Sequence, residues 1–161
     1  MLEEPRRRRC KPVPRPRCGE VKLCHVDTLT HALSGALLAR ASAPASLPPR
    51  ALQRRIAAGF FACAAPDLDF VVGFLGPLEY LLQHRGPTHS LLLLPLWALL
   101  YSWLLALLLR EPEWRTAGWR RLYGVTAMAL LAHIVGDVIT SFGTIVFAPW
   151  SDWRAASGTT F

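Results

Sequence analysis

The sequence predicts an all-α fold: a polytopic, membrane-embedded helical bundle of about three spans plus a short N-terminal helix. Three observations carry this expectation. The chain of 161 residues is 52% hydrophobic, with a mean hydropathy of +0.28. Ser90 to Leu109 runs for 20 residues without a charge between His89 and Arg110, and about 20 apolar residues suffice to cross a bilayer. Finally, Asp67, Asp69, His89, His133 and Asp137 lie inside or at the edges of apolar stretches. A charge there costs roughly 2.5–3.5 kcal/mol even on the mildest insertion scale, so a shared polar site is expected rather than five separate accidents.

The net charge of +7 belongs mostly to a tail. Residues 1–25 carry Arg6, Arg7, Arg8, Arg9, Lys11, Arg15, Arg17 and Lys22 against Glu3, Glu4 and Glu20. This Arg- and Pro-rich segment has no apolar periodicity and is expected to be disordered. No apolar core follows the arginines directly, which argues against a signal peptide. Cys10, Cys18, Cys24 and His25 lack a paired Cys-x-x-Cys knuckle, so neither a zinc site nor a disulfide framework is expected in the tail. Nucleic-acid binding is not expected, since the tail has no interleaved aromatic residues.

The elements follow in order. Thr28 to Ala43 reads as a short helix with Asp27 or Thr28 as N-cap, too short and polar to be a clear span. Pro44, Pro48 and Pro49 mark a loop that ends at Arg50, Arg54 and Arg55. Ile56 to Leu78 is the second segment, interrupted by Pro66 just before Asp67 and Asp69. Broken helices at membrane depth occur where the freed backbone lines a protein-walled cavity. Glu79 to Thr88 is a loop, and Ser90 to Leu109 is the clearest span, with Pro95 tolerable near its start. Arg110 to Arg121 is a polar loop whose Trp114 and Trp119 suit a membrane interface. The last segment runs from about Leu122 to Ala148. Ser34, Gly35, Ala36 and Gly136 suit close helix packing.

Loop arginines set the expected topology. Arg40, Arg50, Arg54 and Arg55 lie in one loop region and Arg110, Arg115, Arg120 and Arg121 in another, so both are expected on the cytoplasmic side. His133 then stands about 16 Å above the inner end of its helix. Asp67, Asp69, His84, His89, His133 and Asp137 reach one level toward the outer side, with His31 starting there as well.

His133 and Asp137 are four residues apart, on one helix face. Asp67 and Asp69 flank Leu68 after a proline, so both carboxylates can reach one site, and two neighbouring acids favour a cation or a shared proton. His84 and His89 bracket the turn-forming Arg-Gly-Pro-Thr. Mixed His and Asp donors suit Zn²⁺, Mn²⁺ or Fe²⁺ better than Ca²⁺ or Mg²⁺. Such a metal activates water or polarises a phosphoryl or carbonyl oxygen, and Arg85 offers a contact for an anionic substrate. Structural readings compete: a capped broken helix for the Asp pair, a buried hydrogen-bonded pair for His133 and Asp137, an interfacial imidazole for His84 and a structural role for His31. Intramembrane acids also mark ion and proton pathways.

Four motifs occur in sequence: Asp27-Thr28-Leu29-Thr30-His31; Pro66-Asp67-Leu68-Asp69; His84-Arg85-Gly86-Pro87-Thr88-His89-Ser90; and His133-Ile134-Val135-Gly136-Asp137-Val138-Ile139-Thr140-Ser141 with Gly143-Thr144. Together, from Val26 to Trp153, they resemble the bacterial inner-membrane proteins known as membrane-bound metal-dependent hydrolases, the YdjM-like group with its LexA-regulated member. The resemblance implies a multi-pass protein of the bacterial inner membrane, whose partners are the bilayer and an unknown small-molecule or lipid-like substrate, such as a phosphate ester. It implies a divalent transition metal, zinc or manganese, on His31, Asp67, Asp69, His89, His133 and Asp137. His84 or a carboxylate free of the metal is then the general base, and Arg85 an anion contact. The alternative is a non-catalytic membrane protein, either an ion or proton pathway or an interaction subunit.

The sequence departs from that group at both ends. Val26 stands where relatives have an initiating Met, so residues 1–25 are expected to be upstream sequence rather than native protein. Relatives continue past Phe161, so residues 154–161 are expected to be a truncated end of the 26–153 hydrolase-like domain.

Overall fold

The computed structural model describes residues 24–68, 86–139 and 143–157. Within them the fold is all-α: α1 (Cys24–Ala41), α2 (Pro49–Ala64), α3 (Leu94–Leu108) and α4 (Trp119–Ile139). A 3-10 turn at Pro87–His89 precedes α3, and a π-helical turn at Trp114–Gly118 leads into α4. Residues 1–23 of the expected tail, together with Asp69, His84 and Arg85, lie outside the described residues.

The helix boundaries differ from expectation for local reasons. The α1 backbone begins at Cys24, since no Gly or Pro separates it from Thr28. The second helix begins at Pro49 rather than Ile56, because Pro at the first helical position gives up no needed amide and has a helix-ready φ. Its arginines therefore lie on its first two turns instead of in a loop. It stops at Ala64 and tightens into a 3-10 turn over 65–68 around Pro66. The expected 20-residue span is a helix of 15 residues, Leu94–Leu108, about 22 Å long. Pro95 fits only in a first turn, and Ser90 is engaged elsewhere. The last helix ends at Ile139, not Ala148. Gly143 has φ +70, a left-handed conformation that suits glycine, and residues 143–157 form a loop.

Among the described helices, the stretch Trp114–Ile139, 26 residues, is long and apolar enough to cross a membrane; Leu94–Leu108 is a shorter apolar helix. The fourth helix is central and packs against α1, α2 and α3. Contact between α1 and α2 is close because both present small residues. A Cβ added at Gly35 would collide with the Gly59 carbonyl and Cys63 Cβ; one at Gly59 would lie 2.5 Å from the Gly35 carbonyl oxygen and 2.7 Å from Ala39 Cβ. The spacings Gly35–Ala39 and Gly59–Cys63 are both i, i+4, the small-xxx-small pattern that brings helix backbones together. The core continues through Ala58, Ala62, Leu105, Ala106, Leu122, Val125 and Ala129.

Large apolar side chains mostly face outward. Leu29, Leu33 and Leu37 form an exposed stripe on α1, and Leu96, Leu99, Leu100, Trp103, Leu104, Leu107 and Leu108 cover α3. Small residues inside and leucines outside reverse the pattern of a water-soluble bundle, in which a contiguous apolar patch is limited to a few hundred Å².

The two ends of the bundle differ in chemistry. Both arginine-rich segments gather at one end, as the charge pattern predicts. Arg54 Nη1 lies 3.2 Å from Glu111 Oε2 and Arg121 Nη1 lies 3.5 Å from Glu111 Oε1, and Glu111 is buried. Arg55 donates to the Ala39 carbonyl at 3.1 Å and to Ser42 Oγ at 2.8 Å, capping α1. At the other end the loop after α4 folds back on the start of α3. Ser90 Oγ donates to the Ala148 carbonyl at 2.7 Å and the Leu91 amide to the Val146 carbonyl at 2.9 Å. Thr144 and Ala155 exchange two backbone hydrogen bonds, and the Ser157 amide donates to the Val138 carbonyl.

Candidate metal centre

The residues that sequence singled out for their cost converge at the end opposite the arginines. Asp67 comes from the turn after α2, His89 from the turn before α3, His133 and Asp137 from the last two turns of α4, and His31 from α1. One donor atom from each of Asp67, His89, His133 and Asp137 falls within 4.8 Å of all the others. His133 Nε2 lies 3.0 Å from His89 Nε2, 3.5 Å from Asp67 Oδ1 and 3.5 Å from Asp137 Oδ2, and His89 Nε2 is 3.1 Å from Asp137 Oδ2.

The i, i+4 spacing of His133 and Asp137 turns both inward beside buried Ile134, while Leu131, Val135 and Ile139 are exposed. His89, His133 and Asp137 are almost wholly buried; Asp67 keeps 15% of its side-chain surface and His31 14%. The cluster is therefore reached past Asp67 and His31.

His31 stands one step back from this group. Its Nε2 lies 3.3 Å from Asp137 Oδ1, the oxygen turned away from His89 and His133. Its ring sits 4.3 Å from that of His133, centroid to centroid. Gly136 makes the approach possible, because a Cβ there would come within 2.7 Å of His31 Cε1. Asp137 thus spreads its two oxygens between His31 on one side and the paired imidazoles on the other.

Hydrogen bonding determines which nitrogen of His133 faces the cluster as an acceptor. Its Nδ1 is 2.7 Å from the Cys63 carbonyl oxygen. A carbonyl only accepts, so Nδ1 carries the hydrogen, and in the neutral ring Nε2 bears a lone pair. That lone pair meets two carboxylates and a second imidazole. His89 Nδ1 is 2.9 Å from Thr88 Oγ1, a hydroxyl that fits either tautomer. Asp67 Oδ2 is buried with no hydrogen-bond partner among the described residues.

These donors fit a divalent transition metal. Four atoms placed tetrahedrally about 2.0–2.1 Å from a zinc ion stand about 3.3–3.4 Å apart; four of the six separations here are 3.0, 3.1, 3.5 and 3.5 Å, and all six are within 4.8 Å. Two imidazoles and two carboxylates match the intermediate hardness of zinc or manganese. A buried pair of carboxylates is costly unless positive charge, on a metal or on a ring, offsets it.

Of the eight residues assigned to the site from sequence, five meet here; Asp69, His84 and Arg85 lie outside the described residues. Gly136 packs closely as expected, against His31 of α1, whereas two contributors carry no sequence signal of their own. Thr88 sits inside a motif, and its hydroxyl contact with His89 Nδ1 is not visible in spacing. The Cys63 carbonyl, a backbone atom, has no side-chain signal.

The sequence pattern of the YdjM inner membrane protein family matches residues 26–161. The uncharacterized protein YfhP of Bacillus subtilis (strain 168) is 26% identical over 136 residues, which cover 83% of this chain and 40% of that relative. The chain therefore spans less than half the length of the curated relative it matches. No solved structure matches it.

Proposed function

Because the chain belongs to the YdjM inner membrane protein family, we propose that it is a multi-pass inner-membrane protein whose buried His–Asp cluster holds one divalent transition metal and performs a metal-dependent hydrolysis. The observation that carries this reading is the convergence of Asp67, His89, His133 and Asp137 within 4.8 Å, three of them almost wholly buried.

Support for the multi-pass arrangement comes from the exterior. Leucines cover α1 and α3. Trp114 and Trp119 stand at the arginine end, and exposed Trp150 and Trp153 stand in the loop that folds over the site end. The 21 residues of α4 between those ends measure about 30 Å, the thickness of the hydrocarbon layer. Aromatic side chains at both levels suit the two interfaces, and the arginines put their own end in the cytoplasm. The site then opens toward the outer side.

In this reading Asp67, His89, His133 and Asp137 hold the metal, while His31 braces Asp137. A zinc or manganese ion bound there supplies Lewis acidity toward water and toward a phosphoryl or carbonyl oxygen. Buried helix faces keep bulk water from three of the four ligands, and Asp67 and His31 form the approach. Asp69 as a further ligand, His84 as general base and Arg85 as an anion contact rest on the motifs alone. They favour a phosphate ester or lipid-like substrate, drawn from the bilayer in which the protein sits.

Elemental analysis of detergent-purified protein tests the reading. About one equivalent of zinc or manganese is expected, and almost none in a His133→Ala/Asp137→Ala variant. Equal metal in both removes the hydrolase reading. A metal-free wild type favours a second one, a proton or ion pathway without catalysis, which the line of contacts from His31 through Asp137 to His89 would serve.

A further inference from the structure

We propose that Pro66, which bears no donor atom for a metal, is a positioning residue of the metal centre: its missing amide leaves the Cys63 carbonyl free to hold His133 Nδ1, and so aims His133 Nε2 at the cluster. The proposal rests on the metal reading above and deepens it.

The argument begins with the end of α2. The helix closes at Ala64, and residues 65–68 form a tighter 3-10 turn. In an α-helix the Cys63 carbonyl would receive the amide of Asp67. In a 3-10 turn that amide bonds back to Ala64, three residues away, and the donor for Cys63 becomes the residue at 66. Proline has no N–H. The carbonyl therefore leaves α2 without a local donor, in a region where an unpaired buried acceptor is costly.

His133 fills that place from α4, 70 positions later, at 2.7 Å. The exchange has a chemical consequence. A buried imidazole with no fixed acceptor is free to carry its hydrogen on either nitrogen. The hydrogen on Nε2 would point at Asp67, His89 and Asp137, where a ligand needs a lone pair. The Cys63 carbonyl selects the Nδ1–H form, the same service that carboxylates and carbonyls behind metal-bound histidines perform elsewhere. Pro66 is itself fully buried, so its effect is not one of solvent contact. It also directly precedes Asp67: one residue interrupts the helix, releases the acceptor and delivers a second ligand.

The test uses the full chain in detergent micelles, with its histidines ¹⁵N-labelled. Long-range proton–nitrogen correlation spectra of metal-free protein report which nitrogen of His133 bears hydrogen; its signals are assigned by their absence in His133→Gln. Zinc affinity is measured by competition with a chelating dye. In wild type, His133 is expected in the Nδ1–H form. Pro66→Ala supplies an amide that competes for the carbonyl, so a mixture of tautomers and a zinc affinity weaker by about 10–100-fold are expected, with no fall in the unfolding midpoint. Pro49→Ala, at the first turn of α2, should change neither.

Retention in Pro66→Ala of both the Nδ1–H form and wild-type affinity overturns the proposal. An Nε2–H form in the wild type overturns it even if Pro66→Ala does not fold. A wild type that binds no zinc, but whose His133 tautomer still depends on Pro66, removes the metal reading and leaves the positioning role standing.

Discussion

His89 and His133 face each other through their Nε2 atoms, 3.0 Å apart. Two imidazole nitrogens at that separation are bridged by a hydrogen on one of them or by a cation coordinated to both. The Cys63 carbonyl commits the hydrogen of a neutral His133 to Nδ1, and the carboxylates of Asp67 and Asp137 stand on the flanks. A bridging hydrogen would then belong to His89 Nε2, whereas a cation would draw on both ring nitrogens and on the flanking carboxylates.

Added metal should therefore stabilise the fold. At a free zinc concentration 100 times its dissociation constant, a ligand that binds only the native state contributes about 2.7 kcal/mol. Calorimetric or fluorescence melting of chelator-stripped protein should show a rise in the unfolding midpoint on zinc addition. His89→Ala should abolish that rise; an undiminished rise would place the metal elsewhere.

Gly136 and His31 should behave as a coupled pair. A methyl at position 136 falls 2.7 Å from His31 Cε1, so Gly136→Ala should cost about 1–3 kcal/mol through overpacking and displace the ring from Asp137. Combining it with His31→Ala removes the obstacle. The double variant should be less destabilised than the two single losses added together. Strict additivity in a double-mutant cycle would show that the ring does not pack on Gly136.

The other glycines separate packing from propensity. Gly59→Ala meets the Gly35 backbone, which cannot give way, and should lower the unfolding midpoint in nanodiscs by the equivalent of about 1–3 kcal/mol. Gly124, on α4, has nothing within 4 Å of an added Cβ. Gly124→Ala should leave the midpoint unchanged or raise it by the equivalent of about 0.5–1 kcal/mol, through helix propensity alone.

At the arginine end, Glu111→Gln should weaken the contacts that tie α2 to the turn before α4. Arg121 is 56% exposed, so its share is screened by solvent; the buried acceptor on the Arg54 side dominates, for a total of about 1–2 kcal/mol. The unfolding midpoint should fall while metal content stays constant. A parallel loss of metal would mean that the two ends are coupled through α4.

Much of the site was legible because its residues are expensive where they stand. His133 and Asp137 in an apolar helix, and Asp67 after Pro66, announce themselves by cost and by spacing. The shared end of the two arginine clusters was legible for the same reason, since charge sorts the loops. Helix limits were less so. Ser90 to Leu109 reads as one span because hydropathy does not register that Pro95 fits only a first turn, or that the Ser90 hydroxyl bonds to Ala148. The run past Ile139 reads as helix because apolar content outweighs Gly143, whose left-handed backbone belongs to a loop. The Cys63 carbonyl was invisible: every residue has one, and only the neighbouring proline distinguishes it.

The four clustered side chains are spread along the chain, with Asp67 and Asp137 separated by 70 positions. At 5–20 residues per second, the ribosome takes about 4–14 s to travel between them. During that interval α1 and α2 already exist and can close on each other through Gly35 and Gly59, while Asp67 waits without His133 or Asp137. A metal that needs all four of these donors could therefore be held only once the last helix has been made.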